Sequence, residues 1–167
     1  LSAIISLYNQ YFGGSMNAIV FQEMREKRSL AYTARSTFST PNKKNKHFVN
    51  YAFIATQNDK VPDALEAFNL LFDDMPLSQK SFELAQSGIL NRIETERLTK
   101  MSIVWTFLNN EKLGIDYDYR KDVYQIVQTL TLDDVKNFSE KYLKNIPKTY
   151  VILGRENDID FDALQIY

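Results

Sequence analysis

The chain has 167 residues, with 20 Lys+Arg against 21 Asp+Glu and no cysteine. That length suits one domain with its own core, and a net charge of −1 argues against binding nucleic acid by neutralising phosphates. The lack of Cys excludes disulfides, thiolate catalysis and Cys-based metal sites, and no apolar run approaches the ~18 residues of a membrane-spanning helix.

In chain order, Leu1 to Phe12 reads as a helix, with Ile4, Ile5, Tyr8, Tyr11 and Phe12 on one face and Gly13-Gly14 ending it. No cap or strand precedes it, and the tail from Arg155 ends without a terminating element, so the chain reads as a fragment whose upstream strands are lost or lie on another chain and which lacks a short C-terminal piece. A second helix is expected to start at Ser15, whose hydroxyl suits a helix cap. Ile19, Val20 and Met24 share its buried side, and the pattern stops around Lys27 to Ser29. From Leu30 to Thr40 the residues alternate as in a strand.

Arg25 and Tyr32 lie seven positions apart across this helix–strand junction. A guanidinium from the last helical turn and a phenol from the mouth of the strand can converge on one spot. Two donors there would hold a carbonyl oxygen, and hold it better as charge develops on it. The plainer alternative pairs Arg25 with a helix-surface Glu and makes Tyr32 an ordinary half-buried strand residue. Arg28 is a rival for the donor role.

Pro41 to Lys46 reads as a polar turn with a solvated lysine tip. His47 to Gln57 is the return strand, antiparallel to residues 31–40. Asn58-Asp59 opens a helix with Pro62 in its first turn and an apolar stripe from Val61 to Met75. Ser78 caps a long helix reaching about Leu98, with Phe82, Ala85, Ile89 and Ile93 inward. Lys100 to Leu113 is the next helix, with Val104, Trp105 and Leu108 expected in the core. Helices follow over Arg120 to Gln128 and from Thr131-Leu-Asp-Asp134, the latter with Leu132, Val135, Phe138 and Tyr142 inward. Lys148 to Gly154, apolar on both faces, is expected as a strand, central in the sheet. The fold class is therefore α+β: one antiparallel sheet with helices packed mainly on one face.

Other chemistries fit poorly. The sole histidine, His47, cannot supply a His-x-x-Glu-His zinc pair or, without a nucleophile elbow, a serine triad. Asp158-Ile-Asp160-Phe-Asp162 opens like a calcium loop but has Ala163 where the turn needs Gly. Gly13-Gly14 lacks the Gly-Lys-Ser/Thr of a phosphate loop. Phe12 and Phe38 read as core, with a ligand-facing role as the alternative.

The run FGGSMNAIVFQEMREKRSLAY, Phe12 to Tyr32, resembles the C-terminal, non-zinc half of the pitrilysin and insulin-degrading-enzyme peptidases, the inverzincins. The likeness extends more loosely to about Gly154. It implies a LuxS/processing-peptidase-like half-domain, 1–167, that is inactive alone. It further implies that Arg25 and Tyr32 bind peptide substrate, and that the Gly13-Gly14 turn faces the substrate chamber. Zinc is expected on a partner half-domain, on the same or a separate chain, and the location implied is periplasmic. The alternative is a structural scaffold subunit, or a peptide-binding module with no peptidase activity.

Overall fold

The computed structural model describes residues 1–41 and 46–164. Helix α1 (Ser2–Phe12) is the hub. Tyr8, Tyr11 and Phe12 are fully buried along it, together with Leu7, which the five-residue sequence stripe left out. Tyr8 stacks on Phe12 at 5.1 Å and meets Phe138 at 5.0 Å, while Phe12 meets Phe72 at 5.5 Å. Aromatic pairs in these offset and tilted geometries add to area burial. Phe12 and Phe38 are therefore core residues, not lining.

Strands β1 (Thr33–Ser39) and β2 (Val49–Ala55) form an antiparallel pair in the register Thr33↔Ala55 through Ser39↔Val49. Ala34, Ser36 and Phe38 point into the core, and Thr33, Arg35 and Thr37 point out. The expected alternation is correct, and both strands are shorter than the sequence suggested. The polar turn between them falls, for residues 42–45, outside the described residues.

Contact between α1 and β1 is unusually close. A Cβ on Gly13 would lie 2.2 Å from the Ser36 carbonyl oxygen, so only glycine lets the helix end approach the strand backbone. Asn9 donates from Nδ2 to the Phe38 carbonyl at 3.0 Å and accepts from the Phe38 N–H at 2.7 Å. Its amide serves Phe38 as a neighbouring strand would, and α1 thus covers that edge of β1.

After β2 a 3-10 turn (Asn58–Lys60) leads into α3 (Val61–Asp73), with Pro62 in its first turn. Helix α4 (Gln79–Thr95) is capped by Ser78, which accepts from Ser81 N at 3.2 Å. It ends three residues before the expected Leu98. The Tyr11 hydroxyl donates to the Pro76 carbonyl at 2.8 Å and accepts from the Ser78 N–H at 2.9 Å. It joins α1 to the α3–α4 corner, and burial pushes its pKa up. Helices α6 (Arg120–Thr129) and α7 (Leu132–Tyr142) complete the layer, packing on α1 through Val127, Val135 and Phe138.

Two expectations fail. Helix α5 (Lys100–Lys112) forms, but Val104, Trp105 and Leu108 are exposed, and among its described residues only Asn110 is buried. Apolar side chains ring this helix instead of making one stripe, so its sequence reads as core without identifying a face to dock. Residues Lys148 to Gly154 join no sheet, so the central strand expected there is absent from the described sheet, which has two strands. The α+β class itself holds, with the helices on one face of the hairpin.

Replacing Tyr11 by Phe removes both hydroxyl bonds and leaves Ser78 N and Pro76 O without partners. Urea unfolding should show a loss of roughly 1–3 kcal/mol with an unchanged m-value.

At α7, Thr131 and Asp134 form a reciprocal capping box. Those bonds hold the Asp134 carboxyl below its ordinary 3.8. A lowered folded pKa means that the stabilisation is complete above the unfolded value and is lost as pH falls through the folded one. Thr131→Ala should cost about 1 kcal/mol at neutral pH, and the gap to wild type should narrow in melts taken at progressively lower pH below 3.8.

Candidate functional site

The junction that leads into β1 is built by an irregular helix end. Helix α2 (Ile19–Phe21) passes directly into a π-helical turn, Gln22–Lys27. The helix starts at Ile19 with Ala18 at its N-cap and no side-chain cap, so the Ser15 cap expected from the sequence is not made. Ser15 instead lends its carbonyl to Ala18 N at 3.0 Å. Val20 and Met24 are fully buried beneath the turn. The wider π winding lets those residues stay buried while Arg25 and Glu26 lie on the outside, an arrangement common near functional sites.

The chain then reverses. Ser29 takes the left-handed conformation at φ 52°, unusual for a residue with a Cβ. Its N–H donates to the Arg25 carbonyl at 3.1 Å, and Leu30 N–H reaches Met24 O at 2.9 Å. The Thr56 hydroxyl donates to the Leu30 carbonyl at 2.5 Å, and Tyr32 N–H donates to Ala55 O at 2.8 Å. Segment 29–32 is thereby fixed to the end of β2.

These ties shape an open cleft of about 510 Å³ lined by Arg25, Glu26, Ser29, Tyr32, Gln57 and Lys60, among others. Arg25 and Tyr32 share this cleft. Tyr32 is 76% exposed, and among the described residues its hydroxyl makes no hydrogen bond. The Arg25 guanidinium stands 5.0 Å from the Phe21 ring centre, a cation–π contact that limits its swing. Its approach to Glu26, at 3.8 Å on the surface, is too weak to hold it. Arg28 is exposed and outside the cleft lining. Lys60 joins the lining although nothing in the sequence marked it. It arrives through the hairpin register, which a one-dimensional reading does not supply.

Elsewhere the structure offers less. Gly13 is buried against β1 rather than open to the cleft. His47 is exposed, and among the described residues no three His, Cys, Asp or Glu side chains gather where they could hold a metal ion. The donors present therefore do not fit a zinc ion. Asp160 accepts from Ala163 N–H at 3.0 Å in a local turn, and Asp158 accepts from Asn58 at 3.3 Å, so the acidic tail segment is occupied with its own folding. No helix among the described residues is long and apolar enough to cross a membrane.

Comparison with known proteins agrees with this fold. The chain is similar to the crystal structure of a peptidase M16 inactive domain from Pseudomonas fluorescens, with 23% identity and a TM-score of 0.65 over 86% of this chain. It is also similar to a conserved protein from Enterococcus faecalis V583, with 15% identity and a TM-score of 0.69 over 83% of this chain. It covers 34% and 32% of those two chains, about a third of their length. No curated protein matches. The family model described as the peptidase M16 inactive domain matches residues 1–89, a span holding α1, the π turn, the whole hairpin and α3, and the chain belongs to that family.

Proposed function

We propose that this domain is the substrate-positioning half of a zinc-dependent peptidase, working with a partner half-domain that carries the metal. Arg25 and Tyr32 are the donors that hold a peptide carbonyl. The observation that supports this reading is their shared, open cleft, in which, among the described residues, the Tyr32 hydroxyl is unbonded and the Arg25 guanidinium only loosely paired.

Each group has a distinct part. The guanidinium offers several N–H donors in one plane. The phenol offers one O–H on a short, stiff side chain. Aimed at the same carbonyl oxygen, they bind the ground-state amide modestly and the developing oxyanion more strongly, which makes their effect catalytic in kind. Their backbones are fixed by the hydrogen bonds of the π turn and of Tyr32 N–H to Ala55 O. Positioning therefore needs only side-chain adjustment when a peptide arrives. The bond-breaking chemistry belongs to the partner. A scaffold role without proteolysis would instead leave the cleft without a ligand.

The test combines this chain with its zinc-bearing half and follows cleavage of a peptide. Arg25→Ala and Tyr32→Phe should each lower kcat/KM by roughly 100-fold. Both side chains are exposed, so each variant should keep its stability within about 0.5 kcal/mol. Stable, folded variants that cleave at the wild-type rate would rule out the donor role.

A further inference from the structure

The cleft that holds Arg25 and Tyr32 also receives Lys60, and the backbone shows how. Strand β2 ends at Ala55, whose carbonyl accepts from Tyr32 N–H at 2.8 Å. The next two residues, Thr56 and Gln57, stay in the cleft lining, with the Thr56 hydroxyl donating to the Leu30 carbonyl. The chain then tightens into the 3-10 turn Asn58–Lys60, where Lys60 N–H donates to the Gln57 carbonyl at 3.0 Å. That turn brings Lys60 back to the cleft that Tyr32 opens. Its place is set by the hairpin end and the start of α3, not by a free loop.

The charges of this lining do not balance. Its charged side chains are Arg25, Glu26 and Lys60. Glu26 is the one carboxylate among them, and it lies 3.8 Å from Arg25 Nε. Among the described residues Lys60 makes no ion pair, although it is half-buried. A peptide lying in the cleft strips water from that ammonium, which costs free energy unless an opposite charge meets it. A carboxylate on the peptide meets it. A Lys or Arg side chain at the same place is repelled.

We infer that Lys60 is a specificity residue, which selects peptides carrying a carboxylate close to the carbonyl held by Arg25 and Tyr32. The inference rests on the reading of this cleft as a peptide site. A cleft of about 510 Å³ is roughly 8 Å across, the length of about two to three residues of extended chain. The selected carboxylate therefore belongs to a Glu or Asp side chain within about two residues of the held carbonyl, or to a chain end that falls there. Arg25 and Tyr32 take the main-chain oxygen, and Lys60 takes the acid beside it.

Binding of fluorescein-labelled peptides to this chain together with its zinc-bearing half tests it, read by stopped-flow polarisation before turnover. One set of amidated peptides carries Glu or Gln at each position in turn; another keeps Gln but ends in a free carboxylate. At one or two adjacent positions Glu should bind roughly fivefold more tightly than Gln, and the preference should shrink as salt is raised. Lys60→Gln should abolish it, Lys60→Arg should keep it, and Lys60→Glu should turn it against Glu. A Lys60-dependent gain confined to the free carboxylate would uphold the inference with a chain end as the ligand. Equal affinities throughout, or a preference that Lys60→Gln leaves intact, would overturn it. Because binding is read before turnover, the two readings fail separately. Equal affinities with Arg25→Ala and Tyr32→Phe still slow to cleave would sink only the role of Lys60. A Lys60-dependent preference with both variants cleaving at the wild-type rate would sink only the donor role. No binding by any peptide would overturn both.

Discussion

The close approach of α1 to β1 governs this structure. With no side chain at Gly13, the helix end rests on the main chain of Ser36, and Asn9 then reaches both backbone groups of Phe38. That contact fixes the hairpin against the aromatic core of Tyr8, Phe12, Phe72 and Phe138. It also sets where the chain must come back after the π turn. A methyl group at Gly13 would push apart two rigid main chains, not two adaptable side chains, and the junction would move with the hairpin.

The cleft follows from that constraint. Met24 and Val20 must stay buried, and Tyr32 must meet Ala55 at the mouth of the hairpin. The few residues between them cannot complete both tasks with regular helix. The chain resolves the conflict by widening the helix at Gln22–Lys27 and placing Ser29 in a left-handed conformation. Irregular backbone that persists in a well-packed setting is a reason to suspect function. Here it presents a cation and a phenol to solvent in a cleft whose floor is tied down by Thr56 and Ala55.

Much of this was legible in the sequence, for identifiable reasons. The stripes of α1, α3, α4 and α7 are amphipathic at helical period, so their inward residues could be named in advance, and the Ser78 and Thr131 caps carry their own chemistry. The hairpin could be read because Ala34, Ser36 and Phe38 alternate with polar residues. What could not be read depends on partners distant in sequence. Val104, Trp105 and Leu108 have core composition, yet burial needs a surface to meet, and among the described residues none covers these three side chains. Lys148 to Gly154 has strand composition, but pairing needs a neighbour. Ser15 has capping chemistry, yet the helix starts at Ile19 because the Gly-Gly turn runs on further than capping preference alone implies. Lys60 joins the cleft only through the strand register.

In the proposed function Arg25 and Tyr32 act on one atom. A double-mutant cycle on kcat/KM, with Arg25→Ala, Tyr32→Phe and the pair measured alongside the zinc-bearing half, addresses that claim most directly. Two donors to a single oxygen should be coupled by more than about 0.5 kcal/mol, so that the double variant loses less than the sum of the single losses. Strictly additive losses would mean that the two groups serve separate sites, and would contradict it.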